Sequence, residues 1–114
     1  MNYKEKKEEN KMTTKVLLIC GTGASSGFMA ANARKAVKKE GLDFEIKAKS
    51  ESEIGDYLNE IDVLLVAPHL KYMLDEVREE AEAAEVKIAV IPQKVYGALD
   101  GKGLVNEVKQ LLEN

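Results

Sequence analysis

The chain has 114 residues, 17 of them lysine or arginine and 20 aspartate or glutamate, for a net charge of −3 at pH 7. Apolar residues make up 45% and charged residues 32%, the balance of one globular domain with a core of its own. Interspersed signs and only 5% aromatics argue against a nucleic-acid face, which needs a basic patch and stacking rings.

Residues 1–14 (MNYKEKKEENKMTT) carry mixed charge without periodicity and lack the apolar stretch of a secretory signal. They read as a flexible arm ahead of a domain over 15–114. Segment 15–20 (KVLLIC) is apolar on both faces, the pattern of a central strand. A helix is expected over 26–40, with Met29, Ala33, Ala36 and Val37 inward, Asn32, Arg34, Lys35, Lys38 and Lys39 outward, and Gly41 as the stop. Segment 43–49 (DFEIKAK) alternates, as an edge strand with one wet face does. Ser50 and Glu53 form a capping-box pattern opening a short helix with Ile54, Tyr57, Leu58 and Ile61 inward.

Segment 62–68 (DVLLVAP) is a third strand, and Leu70, Met73, Leu74, Val77, Ala81 and Ala84 follow at helical spacing. A fourth strand over 87–92 (KIAVIP) leads through a turn-rich stretch, 96–103, into a last helix. That helix faces inward through Leu104, Val105, Val108, Leu111 and Leu112. Strict alternation of strand and helix predicts an α/β domain: a four-stranded parallel sheet, in its simplest order 2-1-3-4, with helices on both faces. No apolar run approaches the ~20 residues of a membrane-spanning helix, so no direct membrane insertion is expected.

The only cysteine, Cys20, ends the first strand and opens the loop CGTGASSG. A single thiol excludes an intramolecular disulfide and points to a reducing compartment, the cytoplasm. In a parallel α/β sheet, ligands bind beyond the carboxyl ends of the strands, where the strand order reverses. Backbone amides of residues 22–27 converge there with the positive end of the next helix. Gly21, Gly23 and Gly27 permit close backbone approach, and Thr22, Ser25 and Ser26 add hydroxyls around Ala24. The same field is expected to lower the Cys20 pKa and favour a nucleophilic thiolate. A buried structural cysteine at a simple turn is the competing reading; the coincidence of thiol, glycine-rich loop and helix start weighs against it.

A loop of this kind also serves low-molecular-weight tyrosine phosphatases, in the pattern C-x5-R-[ST]. Here Ser26 stands at the arginine position, the nearest arginine is Arg34, and no Asp-Pro acid loop is present. The clamp for a transferring phosphoryl group is therefore missing.

Three segments resemble the IIB components of the bacterial sugar phosphotransferase system, lactose/cellobiose (chitobiose) family. Cys20, Gly23, Ser25 and Ser26 match C-x-x-G-M-S-[ST]. Residues 63–73 (VLLVAPHLKYM) resemble V-x-L-x-G-P-Q-[IV]-x-Y-M, and residues 96–101 (YGALDG) resemble Y-G-x-[ML]-D-G. Ala24, Gly27, Ala67 and His69 depart from the usual Met, hydroxyl, Gly and Gln. The resemblance implies a fold like that of the tyrosine phosphatases, with Cys20 as phosphocysteine intermediate. It further implies a phosphohistidine-bearing IIA donor and a sugar acceptor held by membrane component IIC, such as cellobiose, chitobiose or lactose.

His69, Tyr72 and Tyr96 are candidate rim or partner contacts. Against that, His69 could cap the following helix, Tyr72 could be core, and Asp100 could stabilise only a turn. No cluster has metal-ligand spacing and no cofactor is implied. The alternatives are a small cysteine-dependent phosphatase or reductase, and a non-catalytic anion- or nucleotide-binding module.

Overall fold

The computed structural model describes residues 13–19 and 24–113, with the side chains of residues 24–26 outside that description. The residues 1–12 of the expected arm also lie outside it. The chain runs through β1 (Thr14–Ile19), α1 (Ala24–Glu40), β2 (Phe44–Lys49) and a 3-10 turn (Glu51–Glu53) continuing into α2 (Ile54–Tyr57). Then come β3 (Val63–Val66), a second 3-10 turn (Pro68–Leu70), α3 (Met73–Ala83), β4 (Lys87–Val90), α4 (Gln93–Gly97) and α5 (Gly101–Glu113).

All strand pairs are parallel and the order is β2-β1-β3-β4, the simplest order that centres β1 and β3. Central position follows from composition: Val16–Ile19 of β1 and the whole of β3 are no more than 1% exposed. Such residues find apolar cover only when both neighbouring strands and both faces are occupied. Successive side chains then alternate between two cores. Val16, Leu18, Val63 and Leu65 pack with Met29, Ala33 and Val37 of α1 and Leu104, Val105 and Val108 of α5. Leu17, Ile19, Leu64 and Val66 pack with Ile54 of α2, Leu58 just after it, and Met73, Val77 and Ala81 of α3. Each fully buried Leu, Ile or Val contributes about 1.5–3 kcal/mol.

The edge strand β2 behaves as its alternation predicts, with Ile46 buried and Lys47 exposed. Its free side is partly closed by Arg34, whose Nε donates to the Ile46 carbonyl at 2.9 Å. The expected capping box forms. The Ser50 N–H and Oγ reach the Glu53 carboxylate at 3.2 and 3.1 Å, and the Glu53 N–H returns to the Ser50 carbonyl at 3.0 Å. The Ser50 N–H donating to the carboxylate, and after it the Ser50 hydroxyl, hold the Glu53 carboxyl below its ordinary pKa.

Three helix ends share one device. After α1, Leu42 N–H bonds Val37 O and Gly41 N–H bonds Lys38 O, with Gly41 at φ +70°. After α3, Glu85 takes the left-handed position (φ +62°), with Val86 N–H on Ala81 O and Glu85 N–H on Glu82 O. After α4, Leu99 takes it (φ +52°), with Asp100 N–H on Val95 O and Leu99 N–H on Tyr96 O. This double-bonded C-terminal motif normally uses glycine. For a side-chain-bearing residue the left-handed conformation costs about 1 kcal/mol or more.

The structure corrects several expectations. α1 starts at Ala24, not residue 26, so residues 24–27 form its first turn. The helix expected from Leu70 is split into a 3-10 turn and α3, because Pro68 and the short apolar spacing restart the winding. The stretch read as turn-rich contains the end of α4 and the start of α5; its glycines sit inside helices. Asn32 does not face solvent but binds across to Leu99. Leu112 is 39% exposed, beyond the end of the apolar stripe.

Gly101 shows how closely α5 meets α1. A Cβ built there would lie 2.3 Å from the carbonyl carbon and oxygen of Asn32 and 2.7 Å from the Ala33 nitrogen. Backbone cannot yield as a flexible side chain does. Gly101→Ala is therefore expected to destabilise the fold by about 3 kcal/mol or more, read from the midpoint of urea unfolding, whereas Gly27→Ala, which meets nothing within 4 Å, is expected not to.

Candidate functional site at the carboxyl edge of the sheet

Parallel register aligns the ends of the four strands. Ile19 pairs with Lys49 on one side and with Val66 on the other, and Val66 pairs with Val90. Beyond this row Ala67 N–H donates to Ile19 O at 2.9 Å, and Ile91 N–H donates to Val66 O at 2.8 Å. Ile19 is the residue immediately before Cys20. The segments after β3 and β4 thus continue from the same edge at which β1 ends.

Of the sequence-predicted site, Cys20, Gly21, Thr22 and Gly23 lie outside the described residues. Ala24, Ser25 and Ser26 contribute the backbone of the first turn of α1. The first-turn N–H groups of a helix have no intrahelical partner, and its dipole favours an anion there. Gly27 is exposed and helical, and does not take a positive φ. It leaves open space where a Cβ would stand.

The rim candidates part company. His69 is exposed in the 3-10 turn that directly follows β3. Tyr96 is half-buried in α4, beyond β4. Their rings meet with centroids 5.8 Å apart, tilted by 55°. His69 does not cap α3, which has no side-chain cap. Tyr72 is 56% exposed and Met73 beside it 6%. The core reading of Tyr72 is thereby overturned, because the helical register turns Met73, not its neighbour, into the second core. Asp100 is a helix cap: its Oδ1 accepts from Gly103 N–H at 2.9 Å, at the start of α5.

Two residues here were not marked by sequence pattern. Phe28, in the second turn of α1, is 67% exposed; an aromatic beside the buried Met29 reads as core until the helix phase is fixed. Asn32 was assigned to the wet face because a polar residue in an amphipathic helix usually belongs there. Among the described residues no group of His, Cys, Asp and Glu could hold a metal ion, and no helix is long and apolar enough to cross a membrane.

Residues 15–107 match the family described as "PTS system, Lactose/Cellobiose specific IIB subunit". The chain belongs to this family. It is accordingly a component of a phosphotransferase, as its relatives are. The galactose-specific EIIB component of Lactococcus lactis subsp. cremoris is 34% identical over 107 residues, covering 89% of this chain and 99% of that protein. The cellobiose-specific EIIB component of Lactococcus lactis subsp. lactis has the same identity and coverage. Among solved structures, the lactose-specific IIB domain of Streptococcus pneumoniae superposes with a TM-score of 0.74 at 18% identity, over 83% of this chain and 96% of that one. That likeness establishes the fold, the one shared with low-molecular-weight phosphatases.

The contrast between Tyr72 and Met73 is directly measurable. Tyr72→Ala in this IIB chain is expected to leave unfolding free energy within about 0.5 kcal/mol of wild type. Met73→Ala is expected to cost about 2–5 kcal/mol, both read by urea denaturation.

Proposed function

We propose that this IIB chain is a phosphoryl carrier acting through Cys20. Its thiolate attacks the phosphorus of a phosphohistidine on a IIA protein in line. The S–P bond forms as the N–P bond breaks, and the electron pair returns to the imidazole nitrogen. In the second step a hydroxyl of a sugar held by membrane component IIC attacks the same phosphorus. The S–P bond breaks, the thiolate is regenerated, and the hydroxyl proton passes to a base on the acceptor side. Amides of residues 22–27 with the hydroxyls of Thr22, Ser25 and Ser26 neutralise the equatorial oxygens. Residues 15–114 are the carrier domain, working in the cytoplasm and meeting the membrane only through IIC. Residues 1–14 are an arm preceding it.

The observation that carries this reading is the bond from Ala67 N–H to Ile19 O. It sets the residue before the lone thiol at the carboxyl edge of a parallel sheet, with four residues of sequence between it and the start of α1. Membership of the lactose/cellobiose IIB family supports the donor and acceptor classes. Relatives named for galactose and cellobiose at equal identity leave the acceptor at the level of a β-linked disaccharide or a related sugar.

Arg34 favours a carrier over a hydrolase. A cysteine phosphatase needs a guanidinium clamped on the phosphoryl oxygens. The chain has two arginines: Arg34 is committed to the Ile46 carbonyl of β2, and Arg78 lies exposed in α3. A relay gains from this lack, since the phosphoryl group must survive until the acceptor arrives.

The test uses phosphorylated IIA, membranes containing IIC, and cellobiose or lactose. Wild type is expected to support sugar-phosphate formation, and Cys20→Ser to lower the rate by at least about 10³. Turnover of a simple aryl phosphate that disappears in Cys20→Ala would establish the phosphatase instead. Sugar phosphorylation unchanged in Cys20→Ser would remove the thiol from the mechanism.

A further inference from the structure

Asn32 lies in the middle of α1 and is part-buried, and its Nδ2 donates to the carbonyl of Leu99 at 2.8 Å across 67 residues of sequence. A carbonyl partner requires the amide nitrogen, not the amide oxygen, to face it. Leu99 is one of only two side-chain-bearing residues with positive φ among those described. Two residues further on, Gly101 sits against the backbone of Asn32 itself. The turn between α4 and α5 is thus fastened to α1 at a single point, by a hydrogen bond on one side and a backbone contact on the other.

One helical turn before Leu99 stands Tyr96, whose carbonyl accepts the Leu99 N–H at 3.1 Å. The Tyr96 ring faces His69, beyond β3, at 5.8 Å. A continuous chain of contacts therefore runs from α1 through Asn32, Leu99 and Tyr96 to His69 at the carboxyl edge. The same α1 presents its first turn to that edge. We infer that Asn32 is a positioning residue: by holding Leu99 in its left-handed conformation it fixes Tyr96, and through it His69, relative to the helix whose start borders the phosphoryl site. It touches neither donor nor acceptor. Its effect on transfer rests on the carrier reading; its effect on the ring pair does not.

The sole histidine gives a clean probe, since a single imidazole Cε1–H resonance reports the ring-current field of Tyr96. Tyr96→Leu supplies the value without that ring. Asn32→Ala and the nearly isosteric Asn32→Asp, which has no amide donor, are expected to move the His69 resonance toward the Tyr96→Leu value. Both are expected to keep the far-UV circular dichroism of wild type. Both are also expected to slow phosphoryl transfer at saturating donor at least about fivefold, since small displacements at a reacting centre are amplified in rate, while donor KM stays within about twofold. A His69 resonance unmoved in both variants overturns the proposal. A moved resonance with unchanged transfer overturns its functional half. If wild-type protein takes no phosphoryl group, the carrier reading and the rate claim fall together, and the resonance still decides whether Asn32 sets the ring pair.

Discussion

The molecule depends on the burial of β1. Val16–Ile19 are excluded from water on every side, which compels a strand on each flank and a helical layer on each face. A parallel sheet follows because each connection between strands is a helix-bearing crossover and not a hairpin. Once β1 is central and parallel, its carboxyl end, the carboxyl end of β3 and the first turn of α1 face one region. The lone cysteine is the next residue along that strand. Site and core are consequences of one constraint.

The edge of the sheet serves both stability and chemistry. Arg34, which could have been a phosphoryl clamp had it stood at position 26, instead closes the free side of β2. Gly101 and Asn32 tie the last helix and the turn before it to the first, and Asp100 caps the last helix. In the proposed carrier these ties matter because the protein would supply orientation and charge stabilisation, and little covalent chemistry beyond the thiolate. Exposed Phe28 and Tyr72, on the opening turns of α1 and beside the start of α3, leave apolar surface at the two helix starts nearest the carboxyl edge.

Much of this was legible in the sequence because period and burial coincide. KVLLIC and VLLV declare buried central strands, DFEIKAK an edge, and Ser50 with Glu53 a helix start. Legibility ended where tertiary contacts override local pattern. Asn32 reads as solvent-facing until the position of Leu99 is known. Leu99 and Glu85 carry no glycine signal although both take the left-handed position, since packing and paired hydrogen bonds outweigh the local cost. Tyr72 and Met73 are adjacent apolar residues that only the exact phase of α3 separates. The family was readable from three short segments: one directly after β1, one running through β3 into the turn beyond it, and one spanning the end of α4 and the start of α5.

The central claim is that the phosphoryl group resides on sulfur at Cys20. The direct measurement is to incubate the chain with phosphorylated IIA, digest it under conditions that preserve thiophosphate, and locate the added phosphoryl group by peptide mass spectrometry. The account predicts one phosphoryl group per chain, on the peptide containing Cys20. A phosphoryl group found on the peptide containing His69, or none on any peptide, would contradict it.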